Sequence, residues 1–300
     1  MWFDPAIIDA LVDVVPPWLA VLLALLSFLG SAVFLTPLVV GWFTIRPGER
    51  VLALAGILFC SYVVRDFLKA LNEIERPMAE PDFDPSRLPF FLELVYVHPV
   101  GIDTTGFPSG HMVAGIVFWG LLAVDLSWGN QRSRIVAAIG ILLIIGLSRI
   151  LLGAHWIEDV IVGAVVGTAL LLGYLWGRSR TNGEVVFAFG LAGVAAAIDL
   201  MVAGTLSGQA TFAVSWGVFL GLALQARTGW PKTSPLSPIS GLMPVLGTVT
   251  GGVLLAIMIV VNPPSVPSLL AITPAVALGI HWHLGRIASL PLMRPLAERR

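Results

Sequence analysis

The stretch "GFPSGHMVAGIVFWGLLAVDLS", residues 106–127, joins a polar segment to an apolar run. The run from residue 109 to residue 127 is long enough, as a helix, to cross the apolar core of a membrane. A proline, a serine, a glycine and a histidine stand where this run begins. Polar residues at such a boundary cost free energy unless something binds them. The stretch therefore predicts a membrane-spanning helix whose first turn has a function.

The composition of the whole chain agrees with a polytopic membrane protein. Of the 300 residues, 57% are hydrophobic and 12% are charged, whereas about 25% of the residues of a soluble domain are charged. The net charge of −1 provides no basic field, so we expect no nucleic-acid partner. The apolar runs predict an all-α fold class, a polytopic membrane helix bundle with about nine transmembrane helices. The predicted spans cover residues 18–40, 50–71, 109–127, 133–152, 156–177, 185–203, 208–225, 240–261 and 267–285.

The chain divides into two predicted regions. Residues 1–180 contain five spans and a short amphipathic helix within "MWFDPAIIDALVDVV", residues 1–15, which we expect on the membrane surface. Residues 181–300 form a four-span extension of unknown role. Asp199, inside the sixth span, is either a functional group or a carboxylate that is hydrogen-bonded to a neighbouring span.

The distribution of charge predicts the orientation. Most arginines fall on one side of the nine-span arrangement, and this side is cytoplasmic by the positive-inside rule. The N-terminus is then outside and the C-terminus cytoplasmic, in a multi-pass protein of the cell membrane. The outer side is acidic, and its few basic residues break the trend, so we expect them to have local roles. These residues are Arg65, Lys69, Arg76, Arg87 and Arg149.

The second span ends with "KALNEIERP", residues 69–77. Lys69 and Arg76 are seven residues apart, so they share a helix face. Pro77 disfavours a helical conformation at the residue before it, which predicts the end of the helix there. Two cations at one span end favour an anion-binding site. For Lys69 alone, the alternative is that its side chain extends to the membrane–water interface.

The third span starts with "PSGH", residues 108–111. Pro108 and Ser109 suit the first turn of a helix, and Gly110 allows a ligand to approach the backbone. Free N–H groups at a helix N-terminus bind phosphate, and His111 lies one residue inside. The alternative is a capped helix start at the membrane interface.

The fourth span ends and the fifth begins within "SRILLGAHWIED", residues 148–159. His155 and Asp159 are separated by four residues, so they lie on one face of a helix. A carboxylate beside an imidazole fixes its tautomer and leaves the other ring nitrogen free to attack. Taken alone, the two residues are equally compatible with an interfacial ion pair.

Together these segments bring cations, a helix N-terminus and two histidines to the outer side. This set is sufficient for hydrolysis of a phosphate monoester without a metal or another cofactor.

The three segments resemble the signature motifs of the type 2 phosphatidic acid phosphatase superfamily, K-x6-RP, PSGH and SR-x5-H-x3-D. The resemblance covers residues 69–159 and includes every motif position. It implies that His155 is the nucleophile that becomes phosphorylated, that Asp159 orients it and that His111 is the general acid. It also implies a set of phosphate-binding residues, Lys69, Arg76, Ser109, Gly110 and Arg149.

The resemblance implies a membrane phosphatase whose partners are a lipid phosphate or diphosphate and the surrounding membrane lipids. The orientation predicted from the charges places its active site outside. Nine spans also resemble the glucose-6-phosphatase arrangement, so a sugar phosphatase is the alternative. A transporter is a further alternative, but it requires polar residues deep in several spans. The complete motifs argue against an inactive scaffold. Vanadium-dependent oxidation is also disfavoured, because the family members that catalyse it are soluble.

Overall fold

The computed structural model describes residues 3–45, 48–77, 79, 81–82, 84–90, 92–93, 96, 105–181 and 183–228. Within these ranges the chain is helical and contains no β-strand, as predicted. Short 3-10 turns cover Phe28–Gly30 and Pro85–Arg87. The α-helices are α1 (Pro5–Val12), α2 (Pro17–Ser27), α3 (Ala32–Ile45), α4 (Glu49–Asn72), α5 (Gly110–Asp125), α6 (Gln131–Leu151), α7 (Ile157–Arg178), α8 (Glu184–Val202) and α9 (Leu206–Thr228).

Helices α4 to α9 agree with the second to seventh predicted spans, within a few residues at each end. In the described part of the chain, α4, α6, α7 and α8 are long and apolar enough to cross a membrane, and a bent pair of N-terminal segments raises this number to five. The protein is therefore a helical membrane protein. The count of nine spans and the orientation stay predictions, and the spans predicted over 240–261 and 267–285 lie outside the described residues.

The prediction of one continuous helix over residues 18–40 is wrong. Helix α2 ends at Ser27, a 3-10 turn follows, and α3 begins at Ala32. The break lies where the chain meets α5, because the indole Nε1 of Trp119 donates to the carbonyl oxygen of Leu29 at 2.9 Å. A Cβ atom at Gly30 would lie 2.7 Å from the carbonyl oxygen of His111. The close contact with α5 thus replaces the regular continuation of the helix.

The chain forms two compact units, and the three motif segments belong to the first, which comprises residues 1–35 and 64–179. In this unit α5 packs against both α6 and α7. The apolar core between the three helices includes Met112, Ile116, Ile145 and Val160. Because Met112 follows His111 directly, this core fixes the start of α5, where the polar motif residues lie.

Two glycines on α7 determine how closely it approaches α5. A Cβ atom at Gly163 would lie 2.7 Å from the carbonyl oxygen of Ser109, and one at Gly167 would lie 2.9 Å from that of Val113. Both glycines are buried and are four residues apart, so they share a face of α7. Such pairs of small residues allow backbones of membrane helices to come into contact. The motif residues at the start of α5 and of α7 are thereby held together.

The predicted amphipathic helix at the N-terminus is present as α1. The carboxylate of Asp4 caps it by accepting from the N–H of Ala6 at 3.1 Å. Ile8 and Val12 are buried, so the apolar face of α1 packs against the protein. Its position at the membrane surface stays a prediction.

The second unit comprises residues 36–63 and 180–300, of which the structure describes the part before residue 229. Here α8 packs against α9. The carboxylate of Asp199, on α8, is fully buried and accepts from the N–H of Thr205 at 2.9 Å and from its hydroxyl at 3.0 Å. These bonds close the turn between α8 and α9, so the structural interpretation accounts for this buried acid. The functional division at residue 180 stays a prediction.

Candidate active site

The three motif segments are tied together by hydrogen bonds from their long side chains to backbone carbonyls. The Nζ atom of Lys69 donates to the carbonyl oxygen of Thr105 at 2.8 Å. Nη1 of Arg76 donates to that of Ala154 at 2.9 Å. Thus the end of α4 is bound to the segment before α5, and the segment that follows α4 is bound to the turn between α6 and α7.

Backbone hydrogen bonds hold the same segments in register. The N–H of Ser109 donates to the carbonyl oxygen of Asp159 at 2.9 Å, and that of Gly106 donates to Ile74 at 2.7 Å. The start of α5 is therefore bound by main-chain atoms to the start of α7 and to the segment that follows α4. These bonds and those of Lys69 and Arg76 thus join the segments that contain all three motifs.

His155 and Asp159 form a buried pair. Nδ1 of His155 lies 3.0 Å from Oδ2 of Asp159, and the two residues are 1% and 0% exposed. The same carboxylate oxygen accepts from the N–H of Trp156 at 3.0 Å. When the carboxylate is ionised, it holds the proton of the imidazole on Nδ1, which leaves the lone pair on Nε2. The arrangement therefore prepares Nε2 of His155 for attack on an electrophile.

The turn before His155 explains how the histidine reaches this position. The carbonyl oxygen of Arg149 accepts from the N–H of Ala154 at 3.0 Å and from that of His155 at 3.2 Å, which closes the end of α6. Gly153 has a φ of +64°, a conformation that L side chains rarely adopt. The backbone carbonyl of Ala79 also occupies the place of a Cβ atom there. The sequence thus requires glycine at this point of the third motif.

The positive charges of the site act on His155. Burial lowers its pKa well below the usual range, and the nearby Arg149, Arg76 and Lys69 lower it further. The imidazole is therefore neutral at pH 7, with a lone pair on one ring nitrogen. Arg149 is itself fully buried. Burial also lowers the pKa of Arg76, while the carboxylate of Asp159 opposes this effect.

The start of α5 presents polar atoms to the same place. Ser109 is the N-cap residue, and neither its Oγ atom nor Nε2 of His111 has a hydrogen-bond partner among the described residues, although both atoms are buried. The same holds for Oδ1 of Asp159. A buried polar group without a partner costs about 1–3 kcal/mol, so three of them in one site indicate a polar ligand. Gly110 is also in contact with a side chain, that of Arg65, which lies against it.

Gly106 and Phe3 belong to the surroundings of the site and were not selected by sequence reasoning. A Cβ atom at Gly106 would lie 2.8 Å from Oδ2 of Asp159, so no side chain fits there. The N–H of Phe3 donates to Oε1 of Glu158 at 2.9 Å. The position of Gly106 just before the second motif could have indicated its contact with Asp159. No sequence pattern indicates the bond between Phe3 and Glu158.

Phe3 also joins two motif segments through aromatic contacts. Its ring packs edge-on against Phe107, with a centroid distance of 6.3 Å, and against Trp156, at 5.9 Å. The indole Nε1 of Trp156 donates to the carbonyl oxygen of Glu75 at 2.8 Å. Phe107 lies just before the second motif and Trp156 lies within the third. The N-terminal segment thus packs on the residues that flank the histidines.

The site offers cations rather than a set of metal ligands. Within the described residues, no three His, Cys, Asp or Glu side chains come together as a group that could hold a metal ion. The charged donors are instead Lys69, Arg76 and Arg149, near the N-terminus of α5. Such donors match the oxygens of a phosphate group.

Comparison with known proteins identifies relatives named phosphatidylglycerophosphatase B and lipid A 1-diphosphate synthase. The chain is 37% identical over 83 residues to phosphatidylglycerophosphatase B of Escherichia coli (strain K12), which covers 26% of this chain and 31% of that protein. It is 30% identical over 177 residues to phosphatidylglycerophosphatase B of Bacillus subtilis (strain 168), covering 56% and 79%. It is 26% identical over 132 residues to lipid A 1-diphosphate synthase of E. coli (strain K12), covering 43% and 52%.

The match thus spans about a third of the E. coli phosphatidylglycerophosphatase and most of its Bacillus counterpart. No solved structure matches the chain. The family model described as the PAP2 superfamily matches residues 50–182, a range that includes all three motif segments. The resemblance seen in the motifs is confirmed, and the chain belongs to the PAP2 superfamily.

Proposed function

We propose that this protein is an integral membrane phosphatase that hydrolyses a lipid phosphate or diphosphate monoester at the outer face of the membrane. The observation that carries the proposal is the buried pair of His155 and Asp159 beside three cations and the N-terminus of α5. The names of the relatives, phosphatidylglycerophosphatase B and lipid A 1-diphosphate synthase, support a lipid phosphate as substrate.

The reaction begins with binding of the phosphate group. Lys69, Arg76 and Arg149 neutralise its charge, and the backbone N–H groups at Gly110 and the hydroxyl of Ser109 supply further donors. Preorganised donors of this kind stabilise the charge that develops in the transition state, and removal of one typically costs 10²–10³-fold in rate. The three cations supply the charge that a metal ion supplies in other phosphatases, so the proposed reaction is metal-independent.

Two displacements then complete the reaction. In the first, Nε2 of His155 attacks phosphorus, the bond to the lipid oxygen breaks, and His111 gives that oxygen a proton. In the second, water attacks the phosphohistidine, His111 takes a proton from the water, and inorganic phosphate leaves as His155 is regenerated. Asp159 stabilises the positive charge of the imidazole while it carries the phosphoryl group.

The decisive test is phosphate release by the purified protein from a panel of substrates. We expect kcat/KM for a long-chain isoprenyl or diacyl phosphate to exceed that for glucose 6-phosphate, because each buried CH₂ contributes about 0.8 kcal/mol. Activity should survive EDTA, and vanadate should inhibit competitively by adopting five-coordinate geometry beside His155. A tenfold advantage for the sugar phosphate would replace the lipid assignment with the sugar phosphatase alternative, and loss of activity in EDTA with recovery in Mg²⁺ would remove the proposed mechanism.

The orientation has its own test. A tag at residue 1 should be accessible from outside intact cells, and a tag at residue 300 should be accessible only after permeabilisation. Tags on the same side of the membrane would contradict both the odd span count and the outward-facing site.

A further inference from the structure

Arg65 is a cation near the site that none of the three motifs contains. It lies on α4 one turn before Lys69, so the two residues share a helix face and are about 6 Å apart along the helix axis. Its side chain is 23% exposed. A charged residue this far inside an apolar helix costs free energy and is a functional candidate for that reason.

The side chain of Arg65 lies directly against the second motif. Its Cδ atom occupies the place where a Cβ atom of Gly110 would be, and its Nε atom lies 3.2 Å from that place. The glycine therefore makes room for an arginine, in addition to exposing the backbone to a ligand. The guanidinium group thus lies at the N-terminus of α5, beside the residue that precedes His111.

Asp66 fixes the orientation of this guanidinium group. Nε of Arg65 donates to Oδ1 of Asp66 at 2.6 Å, and Nη2 donates to Oδ2 at 2.7 Å. Such a two-point pair holds the plane of the group and balances its charge within the protein. The pair does not explain why the side chain is placed across Gly110, since adjacent residues can form an ion pair anywhere on the helix surface.

We propose that Arg65 is a specificity residue that binds a second phosphate group, on the leaving-group side of the substrate. This inference rests on the proposed function, in which His111 protonates the leaving oxygen and thus marks that side. For a lipid diphosphate, the terminal phosphoryl group is transferred to His155 and the bond to the bridging oxygen breaks. The bridging oxygen takes the proton from His111, and Arg65 holds the remaining lipid monophosphate. A glycerolipid that carries a phosphodiester on the leaving-group side of its phosphate monoester offers Arg65 the same kind of charged oxygen.

The test compares substrates that share a tail. Phosphate release is measured for an isoprenyl monophosphate and the corresponding diphosphate, and for phosphatidic acid and a phosphatidylglycerol phosphate with the same acyl chains. Arg65→Gln should lower kcat/KM for the substrates with two phosphates about 10- to 100-fold more than for their monophosphate partners, the range expected for a hydrogen bond to a charged group. Loss in only one of the two series identifies the source of the second phosphate. The matched control is Arg87→Gln, an exposed outer arginine, which should change neither ratio.

A second part of the test measures binding and does not require the protein to hydrolyse a substrate. Binding of inorganic pyrophosphate and of orthophosphate to the purified protein is measured by calorimetry, with Arg65→Lys as the variant that keeps the charge. Wild type should bind pyrophosphate more tightly than phosphate, Arg65→Gln should lose this preference, and Asp66→Asn should strengthen it because a negative charge is removed beside Arg65. If no lipid phosphate is hydrolysed, the proposed function fails while this arm still tests Arg65. Equal losses for one and two phosphates in both arms, or no loss in either, would overturn the role of Arg65.

Discussion

Replacement of Gly163 by alanine should slow catalysis although no motif residue is changed. Gly163 lies on α7 where this helix touches the start of α5, and an added Cβ atom would lie 2.7 Å from the carbonyl oxygen of Ser109. An ordinary contact begins at 3.4 Å, so the two helices must separate by about 3.4 − 2.7 = 0.7 Å. A backbone carbonyl cannot rotate away as a side chain does, because the N–H of Val113 bonds to it at 3.2 Å.

The magnitude follows from the position of the catalytic groups on these two helices. Asp159 is one turn before Gly163 on α7, and His111 is two residues after Ser109. A displacement of 1 Å between catalytic groups costs about 100-fold in rate, so we expect kcat to fall by about tenfold or more. Overpacking of this size also lowers the free energy of unfolding by about 1–3 kcal/mol.

The assay compares three glycines of α7 by phosphate release and thermal unfolding. Gly167→Ala lies one turn farther from the site, so its stability should fall as much and its kcat less. Gly173→Ala is the matched control, because nothing lies within 4 Å of its Cβ position and alanine favours the helix. If Gly163→Ala had the kcat of the wild type at a temperature where the variant is folded, the link between the contact of Gly163 with Ser109 and catalysis would be refuted.

Three further predictions concern the histidines and their surroundings. Because burial and the nearby cations lower the pKa of His155, the acidic limb of the kcat/KM profile should lie below pH 6.5, the ordinary histidine value. Arg76→Gln should raise the pKa of His155 and move this limb to higher pH on the same substrate, whereas Arg76→Lys should leave the limb in place. His111→Ala should lose about 10²–10⁴-fold on a lipid phosphate and much less on p-nitrophenyl phosphate, whose leaving group needs no proton, and equal losses would exclude the general acid. Phe3→Ala should lower kcat more than it raises KM, and Phe3→Tyr should restore it; a loss of the same size in Phe3→Tyr would show that packing on Phe107 and Trp156 is not the cause.

Most of the helices could be predicted from the sequence, whereas the geometry of the motif pairs could not. Apolar runs such as residues 133–152 predict a helix because backbone groups in an apolar environment must bond within their own segment. The four-residue spacing of His155 and Asp159 predicts a shared helix face, but this is wrong because α7 begins at Ile157 and His155 precedes its N-cap residue, Trp156. Asp159 reaches back across the helix start to His155 and to the N–H of Trp156, both at 3.0 Å. Pro77 predicts that α4 ends at Arg76, but the helix ends at Asn72 and Glu73 has a φ of +46°, so the prediction that Lys69 and Arg76 share a helix face is wrong.

Long-range contacts were beyond prediction because they depend on how the helices pack. The break at Gly30 arises from contact with Trp119 and His111, about ninety residues away, so the local sequence from 18 to 40 could only predict a continuous helix. The second motif alone predicts that a ligand approaches the backbone at Gly110, and only the structure shows that the side chain of Arg65 fills the space beside this glycine. Phe3 has no pattern that would connect it to residue 158.

The bonds that tie the motif segments together end on main-chain oxygens, namely those of Thr105, Ala154 and Glu75. A carbonyl is supplied by every amino acid, so substitution at these three positions leaves the acceptor in place. These bonds therefore depend on the donors Lys69, Arg76 and Trp156 and on the path of the backbone, and not on the side chains at the acceptor positions. Side chains at the three acceptor positions can then differ between relatives without loss of the bonds that set the geometry of the site.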